Sequence, residues 1–287
     1  MIEIRGKYNE AAAYTDIIEE QCLSQIYRMC KQKIFKDTII KIMPDTHAGK
    51  GSVVGFTCAG LDYVIPNIIG SDIGCGMEVT ELGECEIDFE KLDSFIINNI
   101  PFSVNINKTV DKAVPKEWKK TLKPLTDKIN YDIRKALRAA GSLGGGNHFI
   151  EINTDKNNKK YLVIHSGSRK LGNETALYYQ RRAEKYCREM REKSNKDSIY
   201  HIPKELSFLE GEDAKEYLEA MKMVQKYAEL NRKIMAERIA GFLGVDYNNA
   251  EKFTSVHNYY NFEDGIIRKG AISAKEGEQV IIPLNMR

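Results

Sequence analysis

The chain is organised around residues 66–77, which read P-N-I-I-G-S-D-I-G-C-G-M. A carboxylate, Asp72, and a thiol, Cys75, lie three residues apart, and the glycines around them allow the backbone to approach a ligand closely. A neighbouring negative charge raises the pKa of a thiol, which disfavours a nucleophile, whereas a metal ion lowers that pKa and neutralises both groups. The stretch therefore indicates a metal site, and the alternative is a glycine-rich turn with a buried cysteine.

The composition is that of an ordinary globular protein. The 287 residues, 42% hydrophobic and 29% charged, suffice for one large domain or two small ones. Lys and Arg number 43 against 41 Asp and Glu, so the overall charge does not predict a nucleic-acid partner. No signal peptide or membrane-spanning run is expected. Six cysteines without a paired spacing predict a reducing compartment, the cytoplasm: Cys22, Cys30, Cys58, Cys75, Cys85 and Cys187.

Hydrophobic periodicity predicts a mixture of helices and strands without internal repeats or a domain boundary. Helices are expected at residues 9–32, 88–99, 173–194 and 212–243. Strands are expected at residues 38–43, 52–59, 78–82, 161–164, 252–256, 266–269 and 280–282. The loop at 44–51 places Asp45 and His47 either in a turn or at the rim of a site.

Residues 101–140 form a basic stretch with ten Lys or Arg against four acidic residues. Phe102, Trp118 and Tyr131 are interleaved with these charges, a pattern that could follow a phosphate backbone and stack on bases. The alternative, a solvated helical hairpin, is the preferred interpretation because runs of charge usually face water.

Three histidines, His148, His165 and His257, each lie next to a predicted strand, as do Asp72 and Cys75. Five ligand-type side chains at strand ends favour one shared site. Two divalent metal ions could share five ligands if the thiolate bridged them, and the mixed set suits Mn²⁺, Fe²⁺, Co²⁺ or Zn²⁺ rather than Mg²⁺ or Ca²⁺. Two metal ions about 3.5–4 Å apart are a recurring arrangement for phosphoryl chemistry.

The turn that follows His165, S-G-S-R, places Arg169 at the start of a predicted helix. Such a turn can bind an oxyanion through backbone N–H groups and the basic side chain. The alternative is a turn that only caps the helix.

Five blocks of the sequence, taken together and in this order, resemble the RtcB family of GTP-dependent RNA ligases. They are M-P-D-T-H-A-G-K-G (43–51), G-S-D-I-G-C-G-M (70–77), G-S-L-G-G-G-N-H-F-I-E-I (141–152), I-H-S-G-S-R-K-L-G (164–172) and R-K-G-A-I-S-A (268–274). The resemblance covers essentially residues 1–287. It implies an α+β fold in which twisted mixed sheets surround a dinuclear metal site and long helices pack outside.

The resemblance also implies a role for each candidate ligand. Cys75 would touch both of two Mn²⁺ ions, Asp72 and His148 would complete the first ion, and His165 and His257 would complete the second. It implies that RNA phosphates are held by Arg169 and Lys269. It further implies a GTP pocket formed by Asn147, His148, Phe149, Ile150, Glu151, His257, Asn258, Pro283, Leu284, Asn285 and Met286.

Two departures from the family pattern affect these expectations. Many members have Pro-Gly-Ser-Met where this chain has P-L-N-M at 283–286, so the nucleotide contacts there differ. Members also form a covalent guanylate on a histidine in an H-G-A-G-R-like motif, and none of the five histidines here stands in such a motif. No catalytic residue is therefore assigned. We expect a single RtcB-like domain, residues 1–287, that lacks its C-terminal part and fails to become guanylated.

The resemblance predicts a cytoplasmic RNA ligase that uses GTP and Mn²⁺. Its substrates would be an RNA 3′-phosphate or 2′,3′-cyclic phosphate end and a 5′-hydroxyl end. Two other functions remain open: a metal-binding RNA-recognition module without ligase activity, and a two-metal phosphoesterase.

Overall fold

The computed structural model describes residues 1–283, and these residues form two sheets and seven α-helices. The strands are β1 (Ile2–Arg5), β2 (Glu10–Ala13), β3 (Ile39–His47), β4 (Val54–Ala59), β5 (Gly76–Gly83), β6 (Phe149–Thr154), β7 (Lys160–Ser166), β8 (Lys252–Val256), β9 (Asn258–Tyr260) and β10 (Ile267–Lys269). The helices are α1 (Glu20–Cys30), α2 (Pro66–Ile69), α3 (Phe89–Asn99), α4 (Trp118–Lys128), α5 (Ile133–Ala139), α6 (Arg169–Lys193) and α7 (Gly211–Phe242). The α+β class predicted from the sequence is confirmed.

The first sheet has six strands in the order β1-β2-β3-β4-β10-β9. It is mixed, because β2 and β3 pair in parallel while the other neighbours pair antiparallel. The second sheet has four strands in the order β6-β7-β5-β8, and all of its pairs are antiparallel. The expectation of mixed sheets is therefore wrong for the second sheet, in which every neighbouring strand reverses direction.

The register of the second sheet decides where the site lies. Gly76, the first residue of β5, pairs with Ser166 at the end of β7 and with Val256 at the end of β8. Phe149, the first residue of β6, pairs with His165 on β7. One end of this sheet thus collects the starts of β5 and β6 and the ends of β7 and β8.

The 32-residue helix α7 packs against the second sheet. It packs on β5, β7 and α6, and it buries apolar side chains at helical spacing that include Tyr227, Ile234 and Ile239. This matches the helix predicted at 212–243. Within residues 1–283, none of the helices combines the length and the apolar character that crossing a bilayer requires.

Two predictions of individual helices and strands are wrong. The helix expected at 9–32 begins only at Glu20, because residues 10–13 form β2, which inserts between β1 and β3 and buries Ala11 and Ala13. Alanine favours helices, but pairing on both sides overrides that preference. Residues 280–282 do not form a strand: the Ile281 N–H donates to Ser255 Oγ at 3.2 Å, and no ladder follows.

The basic stretch at 101–140 contains the helices α4 and α5, which pack against each other. Leu122, Leu125 and Leu137 are buried, and the Trp118 ring meets the Tyr227 ring edge-on at 6.0 Å. Lys120 and its basic neighbours face solvent. The stretch is therefore a helical pair with one face in the core, as the preferred interpretation anticipated.

Candidate metal centre

The predicted metal ligands lie at the end of the second sheet where four strand termini meet. Cys75 directly precedes β5, His148 directly precedes β6, His165 belongs to β7, and His257 separates β8 from β9. Asp72 lies in the turn that leads into β5, and its backbone carbonyl accepts from the Cys75 N–H at 3.2 Å. The antiparallel register therefore gathers residues that are far apart in the chain.

The five side chains form an unbroken series of close contacts. Asp72 Oδ2 lies 3.1 Å from His148 Nε2, which lies 3.4 Å from Cys75 Sγ. On the other side, Cys75 Sγ lies 3.3 Å from His165 Nε2, which lies 3.2 Å from His257 Nε2. The ligand atoms of Cys75, His148 and His165 all lie within 4.8 Å of one another. Cys75 is thus the middle member of the series.

Backbone carbonyls fix the orientation of two imidazole rings. His148 Nδ1 lies 2.8 Å from the carbonyl oxygen of Leu143, and His165 Nδ1 lies 3.0 Å from that of Asn147. A carbonyl only accepts, so Nδ1 carries the proton in both rings, and the Nε2 atom of each ring faces Cys75. Metal-binding histidines commonly have this second hydrogen bond.

The donor set fits a divalent metal ion. The Nε2 atoms of His148 and His165 face a sulfur, a carboxylate and another imidazole, and a cation bound among them would make this arrangement favourable. His257 Nδ1 is buried and has no hydrogen-bond partner in the part of the chain that the structure describes. Sulfur, imidazole and carboxylate together suit Mn²⁺, Fe²⁺, Co²⁺ or Zn²⁺.

Burial determines the protonation of this cluster. Burial lowers the pKa of His165 to about 4 and that of His257 to about 3, so both rings are neutral near pH 7. Burial and the nearby Asp72 carboxylate raise the pKa of Cys75 well above its usual value. Burial alone would raise the pKa of Asp72, but the neighbouring His148 and the hydrogen bond from the Ser168 N–H hold that pKa below its usual value. His165 and His257 are therefore in the neutral state that ligation requires.

The cluster forms part of the wall of a cavity of about 520 Å³, a volume in the range of small-molecule sites. Among the residues proposed for GTP, Asn147, Phe149, His257 and Asn258 line this cavity. Asn258 also stabilises the site, since its side-chain oxygen accepts from the Gly270 N–H at 3.0 Å and its carbonyl from the Gly74 N–H at 2.8 Å.

His148 belongs to the metal-ligand cluster, and the other residues proposed for GTP lie elsewhere. Ile150 packs into the core beside α7, and Glu151 is exposed on β6, where Asn153 Nδ2 donates to it at 3.0 Å. Pro283 borders a neighbouring apolar cavity of about 440 Å³ that also reaches His257. The remaining three, Leu284, Asn285 and Met286, lie outside the described residues.

The two residues proposed to hold RNA phosphates have different surroundings. Lys269 lines the cavity, is 7% exposed, and donates from Nζ to the carbonyls of Lys50 and Ser52 at 2.6 and 2.7 Å. Burial lowers its pKa to about 8. Arg169 instead donates to Ser142 Oγ at 3.0 Å and to the Ser103 carbonyl at 2.7 Å, and it is not part of the cavity wall.

Several cavity-lining residues were not assigned a role from the sequence. Asp45 and His47 line the cavity from β3, so the rim interpretation of their loop matches the structure better than the turn interpretation. Burial raises the pKa of Asp45. Lys50 and Gln180 also line the cavity, and the Lys50 ammonium donates to Gln180 Oε1 at 3.4 Å. Gln180 had no sequence signal because a glutamine within a long helix is usually a surface residue.

Comparison with known proteins agrees with this arrangement. The family model described as tRNA-splicing ligase RtcB matches residues 25–287. The chain therefore belongs to the RtcB family, as the five sequence blocks predicted.

Individual relatives carry the same family name. The chain is 30% identical to the RNA-splicing ligase RtcB of Escherichia coli K12, over 94% of this chain and 72% of the relative. It is 26% identical to the tRNA-splicing ligase RtcB of Nanoarchaeum equitans, over 88% of this chain and 68% of the relative.

Proposed function

We propose that the protein is an RNA ligase that joins an RNA 3′-phosphate or 2′,3′-cyclic phosphate end to a 5′-hydroxyl end, using GTP and two Mn²⁺ ions per chain. The observation that carries this proposal is the contact series from Asp72 through Cys75 to His257, at the wall of a cavity, in a member of the RtcB family. The relatives, which are RNA-splicing and tRNA-splicing ligases, supply the reaction class.

The contact series divides into two overlapping ligand sets. Asp72, His148 and Cys75 would hold one ion, and Cys75, His165 and His257 would hold the other. Bound there, the ions would supply Lewis-acid stabilisation of charge on phosphate oxygens. The protein contributes fixed ring orientations through the Leu143 and Asn147 carbonyls, so little reorganisation accompanies binding.

We assign the cavity to GTP and the RNA end. Asn147, Phe149 and Asn258 would contact the nucleotide directly. Ile150, Glu151 and Pro283 would contribute from farther away, and we also assign residues 284–286 to the nucleotide pocket. Lys269, with a pKa of about 8, is largely protonated near pH 7 and presents a positive charge at the cavity wall.

The environment of the cysteines supports a cytoplasmic location. All six are free thiols and lie within the described residues, and five of them are buried. A reducing compartment keeps such thiols unpaired.

A joining assay tests the proposal. The protein as its gene encodes it is incubated with GTP, Mn²⁺, an RNA ending in a 3′-phosphate and an RNA beginning with a 5′-hydroxyl. A joined product that requires both GTP and Mn²⁺ supports RNA ligation. Cys75→Ala should abolish joining, whereas His201→Ala, at an exposed histidine outside the site, should leave it unchanged.

Two other outcomes favour the alternative functions. RNA cleavage that needs a metal ion but no GTP would indicate a phosphoesterase. Metal-dependent RNA binding without joining or cleavage would indicate a recognition module.

A further inference from the structure

Behind the candidate metal centre lies an arginine that sequence analysis did not assign. Arg232 is on α7 and is 0% exposed, which makes it the largest fully buried side chain of the described residues. Its Nη1 donates to two backbone carbonyls, that of Gly74 at 2.8 Å and that of Ser166 at 2.9 Å. Its Nε and Nη2 have no hydrogen-bond partner within residues 1–283.

The two carbonyls belong to the residues that flank metal-ligand candidates. Gly74 immediately precedes Cys75, and Ser166 immediately follows His165. A single nitrogen of Arg232 therefore connects the segment that carries the thiol to the strand end that carries the imidazole. These are the two ligand candidates whose Sγ and Nε2 atoms lie 3.3 Å apart.

The preceding residue on α7 connects the third ligand-bearing segment. Asn231 Oδ1 accepts from the N–H groups of Gly141 and Ser142 at 2.8 and 3.0 Å, at the start of the loop that leads to His148. Asn231 Nδ2 donates to Ser166 Oγ and to the Gly167 carbonyl, both at 3.0 Å. Two adjacent side chains on one helix thus bind three separate ligand-bearing segments.

Burial of a guanidinium group is costly unless hydrogen bonds and negative charge compensate for it. Burial lowers the pKa of Arg232, and the charges of Glu78, Cys75 and Asp72 act in the opposite direction. No carboxylate hydrogen-bonds to Arg232 in the described part of the chain, so its compensation comes from the two carbonyls and from nearby carboxylates, Glu78 first and Asp72 among them. An apolar residue would fill the same space but would hold neither segment.

We propose that Arg232 is a positioning residue that sets the separation of Cys75 and His165 through the Gly74 and Ser166 carbonyls. The proposal rests on the metal-binding function proposed above. Asn231 extends the same connection to the loop that carries His148. Arg232 does not touch the metal ions or the substrate.

Hydrogen exchange without added metal tests the connection itself. Arg232→Met removes both donors, and in Arg232→Lys the ammonium ends about one bond short of the position of Nη1. Both variants should accelerate amide exchange in segments 72–77 and 165–169, with the larger effect in Arg232→Met. The matched control is Arg182→Met, which removes ion pairs to Asp213 and Glu216 between α6 and α7. This control should leave both segments at the wild-type rate.

Titration with Co²⁺, followed by the thiolate-to-metal absorption band, tests the effect on the centre. Arg232→Met should weaken Co²⁺ binding by about tenfold or more and alter the band, because loss of outer support commonly costs that much. Arg232→Lys should fall between wild type and Arg232→Met, and Arg182→Met should match wild type. If Arg232→Met does not fold, the test rests on Arg232→Lys, which should bind Co²⁺ more weakly than wild type.

Two results would overturn the proposal while leaving the metal centre intact. One is wild-type Co²⁺ affinity and spectrum in the folded Arg232 variants. The other is an equal loss in Arg182→Met, which would reduce Arg232 to a general contribution to stability. If the wild-type protein itself binds no Co²⁺, the proposed metal centre fails, and the positioning proposal fails with it.

Discussion

The Nε2 atoms of His165 and His257 lie 3.2 Å apart, in a part of the interior where both residues are at most 5% exposed. The Nδ1–H of His165 donates to the Asn147 carbonyl, so the lone pair of its Nε2 points toward His257. Burial keeps both rings neutral. Two neutral imidazoles whose Nε2 atoms lie this close, beside the Cys75 sulfur, are well placed to share a cation with Cys75.

Gly167, next to the metal centre, provides a test of the ligand set that contains Asp72. A Cβ atom at residue 167 would lie 2.2 Å from Asp72 Oδ1, so Gly167→Ala should displace this carboxylate. We expect the variant to lose one of two bound metal ions, as measured by elemental analysis of the purified protein. The control is Gly241→Ala on α7, where a Cβ meets nothing within 4 Å. Full metal content in Gly167→Ala would remove Asp72 from the ligand set.

The pKa of Lys269 predicts how phosphate binding depends on pH. Burial lowers this pKa from 10.5 to about 8, so the ammonium is mostly charged at about pH 7 and mostly neutral at about pH 9. A terminal phosphate is already dianionic throughout this range, since its second pKa is about 6. Affinity for a 3′-phosphorylated RNA should therefore fall as the pH rises from about 7 to about 9.

Lys269→Met separates this effect from other titrations. At pH 7 the variant should bind the 3′-phosphorylated RNA about tenfold more weakly, the loss expected for one charge-assisted contact, and its pH profile should be flat across this interval. Binding is measured by fluorescence anisotropy. An unchanged profile in Lys269→Met would assign the pH dependence to another group.

The contribution of the basic stretch at 101–140 is expected to be small. Arg169→Ala should weaken binding of a 3′-phosphorylated RNA more than that of a 3′-hydroxyl RNA, whereas Lys120→Met, at an exposed position on α4, should change both slightly and equally. Competition binding with the two RNAs measures the difference. Equal losses for both RNAs in Arg169→Ala would make Arg169 a general backbone contact or a support for the loop that holds Ser142.

The ligand candidates could be predicted from the sequence because each is marked by a local pattern. Cys75, His148 and His257 directly adjoin strands, and glycine-rich turns surround the first two. Antiparallel pairing brings strand ends together, so residues that adjoin strand ends in the sequence come to lie side by side in the fold. How the imidazole rings are oriented toward one another could not be predicted. That orientation depends on the register of β5, β6 and β7, and no local sequence pattern specifies this register.

The supporting residues could not be predicted for a related reason. Arg232 follows Asn231 in a helix rich in charged residues. Arginine and asparagine in such a helix are expected to face water. Their burial depends on the loops that pack against α7. Strand β2 was missed because its sequence, E-A-A-A, favours a helix until β1 and β3 pair with it. In both cases a contact distant in sequence determines the result.

Metal content in a set of single-ligand variants tests the central claim most directly. Wild-type protein, loaded with Mn²⁺ or Co²⁺ and freed of excess, should contain two ions per chain. His148→Ala and His257→Ala should each retain about one ion, because each residue serves only one ligand set. Cys75→Ala should retain none, and the control Cys85→Ala, at a half-buried cysteine outside the cluster, should retain two. With folding verified by circular dichroism, two ions in Cys75→Ala would contradict a thiolate shared between two metal sites.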